Sequence, residues 1–134
     1  MKMSSKARYG LYVAVELAKR YSPTEVVPVT VIAQRTGVTE KYLEQILALM
    51  KKGEIVDSVR GANGGYKLTD EPDKISVGQV LRAVEDNLEI VECLHKNCAN
   101  SCACVSHNLW TKLYEHINSY LDTISLRQLC EDEI

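Results

Sequence analysis

A chain of 134 residues, 46% hydrophobic and 25% charged, has the size and composition of one globular domain, or of one small domain with an extension. No apolar run approaches the roughly eighteen residues that a membrane span needs, and the opening MKMSSKARYG lacks an apolar signal core, so a cytoplasmic protein without a membrane partner is expected. The net charge of −2 hides a division: residues 1–67 hold eleven Lys and Arg against six Asp and Glu, whereas residues 68–134 hold five against twelve, which points to a polyanionic partner for the front half only.

In chain order, Ser4 or Ser5 caps a first helix that carries Ala7, Leu11, Ala14, Val15 and Ala18 at helical spacing. Ser22-Pro23 and Pro28 break it, with Val26-Val27 a short strand between them. Thr30 to Thr36 reads as a short helix ended by Gly37, and Thr39 caps the next, on which Leu43, Ile46, Leu47 and Met50 form one apolar stripe. Two helices joined by Gly37-Val38-Thr39 match a helix-turn-helix. Opposite the stripe lie Lys41, Gln45, Ala48 and Lys52, flanked by Glu44, a small and polar face of the kind that enters a major groove, where Gln and Glu can read base edges.

Ile55 to Arg60 alternates as a strand, and Tyr66-Lys67-Leu68 returns beside it across Gly61-Ala62-Asn63-Gly64-Gly65, a turn rich in residues that tolerate positive φ. A β-hairpin directly after a helix-turn-helix is a winged helix. Arg60 falls at the tip of this wing, where a narrow minor groove attracts arginine. The fold class is therefore mainly α with a small β-wing: a winged helix-turn-helix plus a long dimerisation helix.

Residues 70–74 form a polar break and mark the expected boundary between a DNA-binding unit, 1–74, and a second unit, 75–134. Ser76 to Gln79 is a capping box opening a helix that buries Val77, Val80, Leu81 and Val84. From about Ser106 to Thr123, Leu109, Leu113, Ile117, Leu121 and then Ile124 recur at helical steps, with Trp110, Tyr114 and Tyr120 widening the apolar face beyond what one small core needs. Such a helix pairs two subunits or is buried as core. Ser125 to Gln128 is a second capping box.

Between those helices lie four cysteines and two histidines within fifteen residues, spaced Cys93-x4-Cys98-x3-Cys102-x-Cys104-x2-His107. An odd total of five cysteines in a chain without an export signal argues against a disulfide framework. Structural zinc favours paired knuckles with two to four intervening residues, and no Cys-x-x-Cys pair occurs here. Iron–sulfur clusters tolerate wider spacing and accept histidine in place of cysteine on one iron. Surface thiols and a redox switch stay open as simpler readings. Cys130, alone on the final helix, reads as a buried small hydrophobe. No His-activated nucleophile at a recognisable spacing and no phosphate-binding loop is present, so no enzymatic activity is expected.

Several stretches together resemble iron–sulfur cluster regulators of the IscR type, within the broad winged-helix repressor family that also includes nitric-oxide-sensing and cysteine-metabolism regulators. They are Ser5-Lys6-Ala7-Arg8-Tyr9, Tyr42-Leu43-Glu44-Gln45, the wing from Val59 to Tyr66, and Cys104-x2-His107-x2-Trp110, and the resemblance spans nearly the whole chain. It implies a homodimer that binds a double-stranded DNA operator of iron–sulfur assembly genes, contacting it through Ser5, Lys6, Tyr9, Thr39, Lys41, Tyr42, Glu44, Gln45, Arg60 and Gly61. It also implies a 2Fe-2S cluster on Cys93, Cys98, Cys104 and His107, delivered by the iron–sulfur assembly machinery. Four residues separate the first two cysteines where five is usual, and Cys102 is surplus, so Cys102 can stand in for Cys98. Nitric-oxide-sensing relatives take an acidic ligand near the amino terminus; here Arg8 occupies that region and no acid precedes Glu16. The competing readings are a winged-helix regulator sensing zinc, nitric oxide or thiol oxidation, and a cluster scaffold that does not bind DNA.

Overall fold

Local signals set the first three helices. In the computed structural model, which describes residues 2–94 and 98–134, helix α1 spans Ser5–Lys19, α2 Val29–Thr36 and α3 Glu40–Lys52. Ser4 caps α1 by accepting from the Ala7 amide at 3.0 Å. Gly37 ends α2 in the left-handed conformation, φ 72°, and Thr39 starts α3 by accepting from the Tyr42 amide at 3.3 Å. Leu43, Ile46, Leu47 and Met50 are all fully buried, as their spacing predicts.

On α1 the phase differs from the sequence reading. Ala7, Gly10, Val13, Ala14 and Leu17 face the core, while Leu11, Val15 and Ala18 are only half-buried. Almost every residue from Gly10 to Ala18 is apolar, so periodicity alone does not choose the face. The choice is made by Gly10, which lets Val84 of the fourth helix approach to 3.0 Å of where a β-carbon would stand.

Strands β1 (Val56–Val59) and β2 (Gly65–Leu68) pair antiparallel with Val56 opposite Leu68 and Val59 opposite Gly65. Val27 extends this wing from the other side: its amide donates to Tyr66 O at 2.7 Å and its carbonyl accepts from the Tyr66 amide at 2.9 Å. Of the three turn glycines only Gly61 has positive φ, 109°. Gly64 and Gly65 are needed for closeness instead, because a β-carbon would overlap the carbonyl oxygen of Val59 at 64 and that of Val27 at 65. Gly65→Ala should therefore destabilise the fold by about 1–3 kcal/mol through overpacking against backbone, read as a lower urea midpoint. An unchanged midpoint would show that the Val27 edge yields freely.

A 3-10 turn, Pro72–Lys74, leads into α4 (Val77–Val84), whose Ser76–Gln79 capping box is complete. Val77, Val80, Leu81 and Val84 are buried against α1 and α3. A second 3-10 turn at Glu92–Leu94 precedes α5 (Val105–Thr123), and α6 (Leu126–Cys130) follows behind its own capping box at Ser125–Gln128. The two capping segments lie side by side, with the Val77 amide on Ile124 O at 2.8 Å and the Leu126 amide on Ile75 O at 2.9 Å. Arg127 pairs with Asp73 at 2.9 Å, pinning α6 to the turn before α4. One hydrophobic core runs from Ala7 to Leu126 through both strands and every helix but α5, which, like the Glu92–Leu94 turn, buries none of its own residues. That helix rests on α4 and on the Glu92–Leu94 turn. No helix among the described residues is long and apolar enough to cross a membrane.

Candidate nucleic-acid interface and cysteine loop

Burial of the α3 stripe dictates what its other face presents. Lys41, Glu44, Gln45, Ala48 and Lys52 are all exposed, with Glu40 and Thr39 exposed at the helix start. Two contacts join the neighbouring elements to opposite ends of this helix. At its first turn, Tyr42 meets Tyr9 of α1 edge-to-face with ring centroids 6.0 Å apart; Tyr9 in turn meets Tyr12 at 6.1 Å and carries the Arg8 guanidinium 6.0 Å from its ring. Exposed Ser5 and half-buried Lys6 lie about one turn before Tyr9 on α1. At the last turn of α3, Lys51 Nζ donates to Ser58 Oγ of β1 at 2.6 Å, which ties the wing to the helix. Arg60 and Gly61 are exposed just beyond β1. The arrangement offers a protruding helix, a basic wing tip and a third element alongside, the shape needed to follow a duplex groove and its flanking phosphates. The Tyr9–Tyr42 and Lys51–Ser58 contacts escaped the sequence reading. Only the recurrence of tyrosine at positions 9 and 12 hints at the first of them.

The cysteine loop is built differently. Cys93 lies in the Glu92–Leu94 turn, Cys98 and Cys102 follow, and Cys104 immediately precedes α5. Cys93, Cys98 and Cys104 are half-buried, Cys102 is exposed, and every cysteine of the chain is a free thiol. Tight turns shape the segment: the Ser101 amide donates to Cys98 O at 3.1 Å and the Ala103 amide to Asn100 O at 3.0 Å. His107 sits in the first turn of α5, its amide donating to Cys104 O at 3.2 Å and its carbonyl accepting from Thr111 Oγ1 at 2.9 Å. Its ring Nδ1 is buried and makes no hydrogen bond to a described residue, a state that costs free energy unless something else occupies the nitrogen. Among the described residues no three Cys, His, Asp or Glu side chains converge on one point. His95 lies outside the described residues. The donor set nevertheless fits an iron–sulfur cluster: soft thiols on turns that can close, and, on a rigid helix, an imidazole nitrogen with no hydrogen bond to a described residue.

Cys130 stands apart from this loop. It is half-buried rather than buried, its Sγ lies 3.6 Å from Val15 O on α1, and desolvation raises the thiol above its ordinary value.

Compared with known families, residues 3–132 match the Rrf2 model, described as an iron-dependent transcriptional regulator. The chain belongs to the Rrf2 family. An IscR regulator of the HTH type from Aliivibrio salmonicida (strain LFI1238) is 38% identical to this Rrf2 protein over 133 residues, covering 98% of this chain and 79% of that one. Among solved structures, T. potens IscR aligns at TM-score 0.78 and 34% identity over 100% of this chain and 89% of its own. CymR, the global cysteine regulator of B. subtilis, aligns at TM-score 0.79 and 34% identity over 98% and 97% of the two chains. With six helices and a two-stranded wing among the described residues, this Rrf2 protein is an IscR-like, winged-helix transcriptional regulator and not an enzyme.

Proposed function

We propose that this regulator is a homodimer that binds operator DNA and senses iron–sulfur status through a 2Fe-2S cluster on Cys93, Cys98, Cys104 and His107, with Cys102 as the alternative to Cys98. The buried Nδ1 of His107, without a hydrogen bond to any described residue and close in sequence to Cys104, carries this reading, because such a nitrogen at the end of a loop of free thiols can serve as a ligand. When bound, the cluster supplies a charge-bearing, redox-active link between the loop and α5. Its donor is the iron–sulfur assembly machinery, and the genes controlled are those of cluster assembly. Residues 1–74 read DNA, and residues 75–134 sense and dimerise. Anaerobic purification followed by absorption spectroscopy and iron and sulfide analysis tests the proposal. One zinc per subunit with no iron would refute it in favour of a zinc-dependent regulator.

On DNA, the exposed face of α3 enters the major groove, with Lys41, Glu44 and Gln45 toward the bases. Ser5, Lys6, Tyr9, Thr39 and Tyr42 hold the backbone, and Arg60 with Gly61 enters the adjacent minor groove. Glu44 gates sequence choice: a carboxylate accepts from a cytosine amino group and is repelled by phosphate, so a small helix shift changes which site it tolerates. Arg60→Ala should weaken specific binding by about 1–3 kcal/mol, most where the flanking minor groove is A·T-rich. Equal weakening on every sequence would reduce Arg60 to a phosphate contact.

A further inference from the structure

α5 is held to the rest of the chain with little burial, so what holds it sets its angle. At its C-terminal half one guanidinium reaches it from α4: Arg82 Nη1 donates to Asn118 Oδ1 at 3.0 Å, and Arg82 Nη2 pairs with Asp122 Oδ1. Asn118 turns its oxygen toward Arg82 because its amide nitrogen donates to Tyr114 O at 2.9 Å. Asp122 Oδ1 also lies 3.5 Å from Ser76 Oγ, at the start of α4. Space for this clasp comes from Gly78, one turn before Arg82. A β-carbon there would overlap Asp122 Oδ1 and come within 3.0 Å of both terminal nitrogens of Arg82. Glycine is a poorer helix former than alanine, so its presence needs a reason, and the clasp provides one.

The next residue of α4 meets the recognition helix. Ala83 packs on Gly53, which closes α3, so closely that a β-carbon at 53 would stand 2.6 Å from Ala83 Cβ. α4 is thus gripped by α5 on one side and abuts the end of α3 on the other, the end from which Lys51 reaches the wing. An ion pair as exposed as Arg82–Asp122 contributes little to stability, which leaves orientation as what it can supply.

We propose that Arg82 is a positioning residue: clasped to Asn118 and Asp122 over Gly78, it transmits the position of α5, and so the state of the cysteine loop, to α3 and the wing. This rests on the cluster-sensing reading above. The test compares operator affinity of cluster-loaded and apo protein, full chain, for wild type, Gly78→Ala, Arg82→Gln and the reversed pair Arg82→Asp with Asp122→Arg. Couplings between sites commonly amount to about 5–150-fold, and Gly78→Ala and Arg82→Gln should each bring that ratio to within about threefold of one, with the reversed pair recovering it. Gly78→Ala is the sharper variant, since it keeps both charges and favours the helix, so a merely structural role predicts unchanged or higher thermal stability and unchanged coupling. Emission of Trp110, the single tryptophan and a residue of α5, gives a readout free of the cluster. Operator added to apo wild type should shift it, and should not in Gly78→Ala. A wild-type ratio retained in the single variants, or no recovery in the reversed pair, overturns the inference and leaves the cluster reading intact. A ratio of one in the wild type overturns the sensing reading and the inference together.

Discussion

Replacing Leu109 and Leu113 together with Asp should give a protein that sediments as a monomer and binds a two-half-site operator at least about 100-fold more weakly, because joining two binding units multiplies affinity by that order or more. Both side chains lie one turn apart on α5. Leu109 is 58% exposed, and along the same helix Val105 is 86% and Tyr120 61% exposed. A 19-residue helix, about 28 Å long, that leaves such a series in water is the face we propose for the subunit contact. Asp in a closed apolar seam must be desolvated without a partner, and two copies per helix double that cost across a two-fold axis. Ile117 is left unchanged because it also lines a cavity of about 430 Å³ against Leu88, Ile90 and Glu85, so a carboxylate there would disturb the α4 contact as well. A double variant that still sediments as a dimer would place the subunit contact elsewhere and leave the α5 face for another partner.

That helix also shows where sequence reasoning stops. The steps from Leu109 through Leu121 predict the helix itself, but the same pattern serves a core helix and a subunit interface equally. Its lack of buried residues within one chain shows that it is no core helix, and the subunit contact is the proposal that the double variant tests. Around α3 the reverse holds: Gly37, Thr39 and the Leu43–Met50 stripe are local signals, and each does in the fold what its chemistry predicts. α1 fails for the opposite reason, having too many apolar residues for spacing to choose among, so the choice falls to Gly10 against Val84. In the candidate interface, the wing was legible through its glycines. The Tyr9–Tyr42 and Lys51–Ser58 contacts were not, because they join residues that only the fold brings together. In the cysteine loop, the sequence shows a crowd of candidate donors without a Cys-x-x-Cys pair and the resemblance says which would bind, but a buried His107 nitrogen with no hydrogen bond to a described residue is a property of packing that no spacing can show.

Anaerobically purified Cys104→Ala should have no visible absorption, whereas Cys102→Ala and Cys130→Ala should keep nearly all of it. Cys104 is one turn from His107 and joined to it through the backbone hydrogen bond that starts α5, so its thiol and that imidazole share a rigid base. Cys102 is exposed on the turn between them and Cys98, free to be lost unless it displaces Cys98 as a ligand. If it does, the absorption should vanish in Cys102→Ala and survive in Cys98→Ala, which decides between the two. Cys130 faces Val15 on α1, where desolvation raises its thiol above the ordinary value, the opposite of the shift that favours a thiolate ligand. His107→Cys should retain a cluster at a lower potential and release it more slowly, since a fourth thiolate adds negative charge where a neutral imidazole stood. The loop variants should keep the fold and the α5 stripe, because no described residue of the loop belongs to the buried core or to the Leu109–Leu113 stripe. A Cys104→Ala protein that still carries stoichiometric iron and sulfide would remove Cys104 from the ligand set, and with it the reason for placing the sensor at the start of α5.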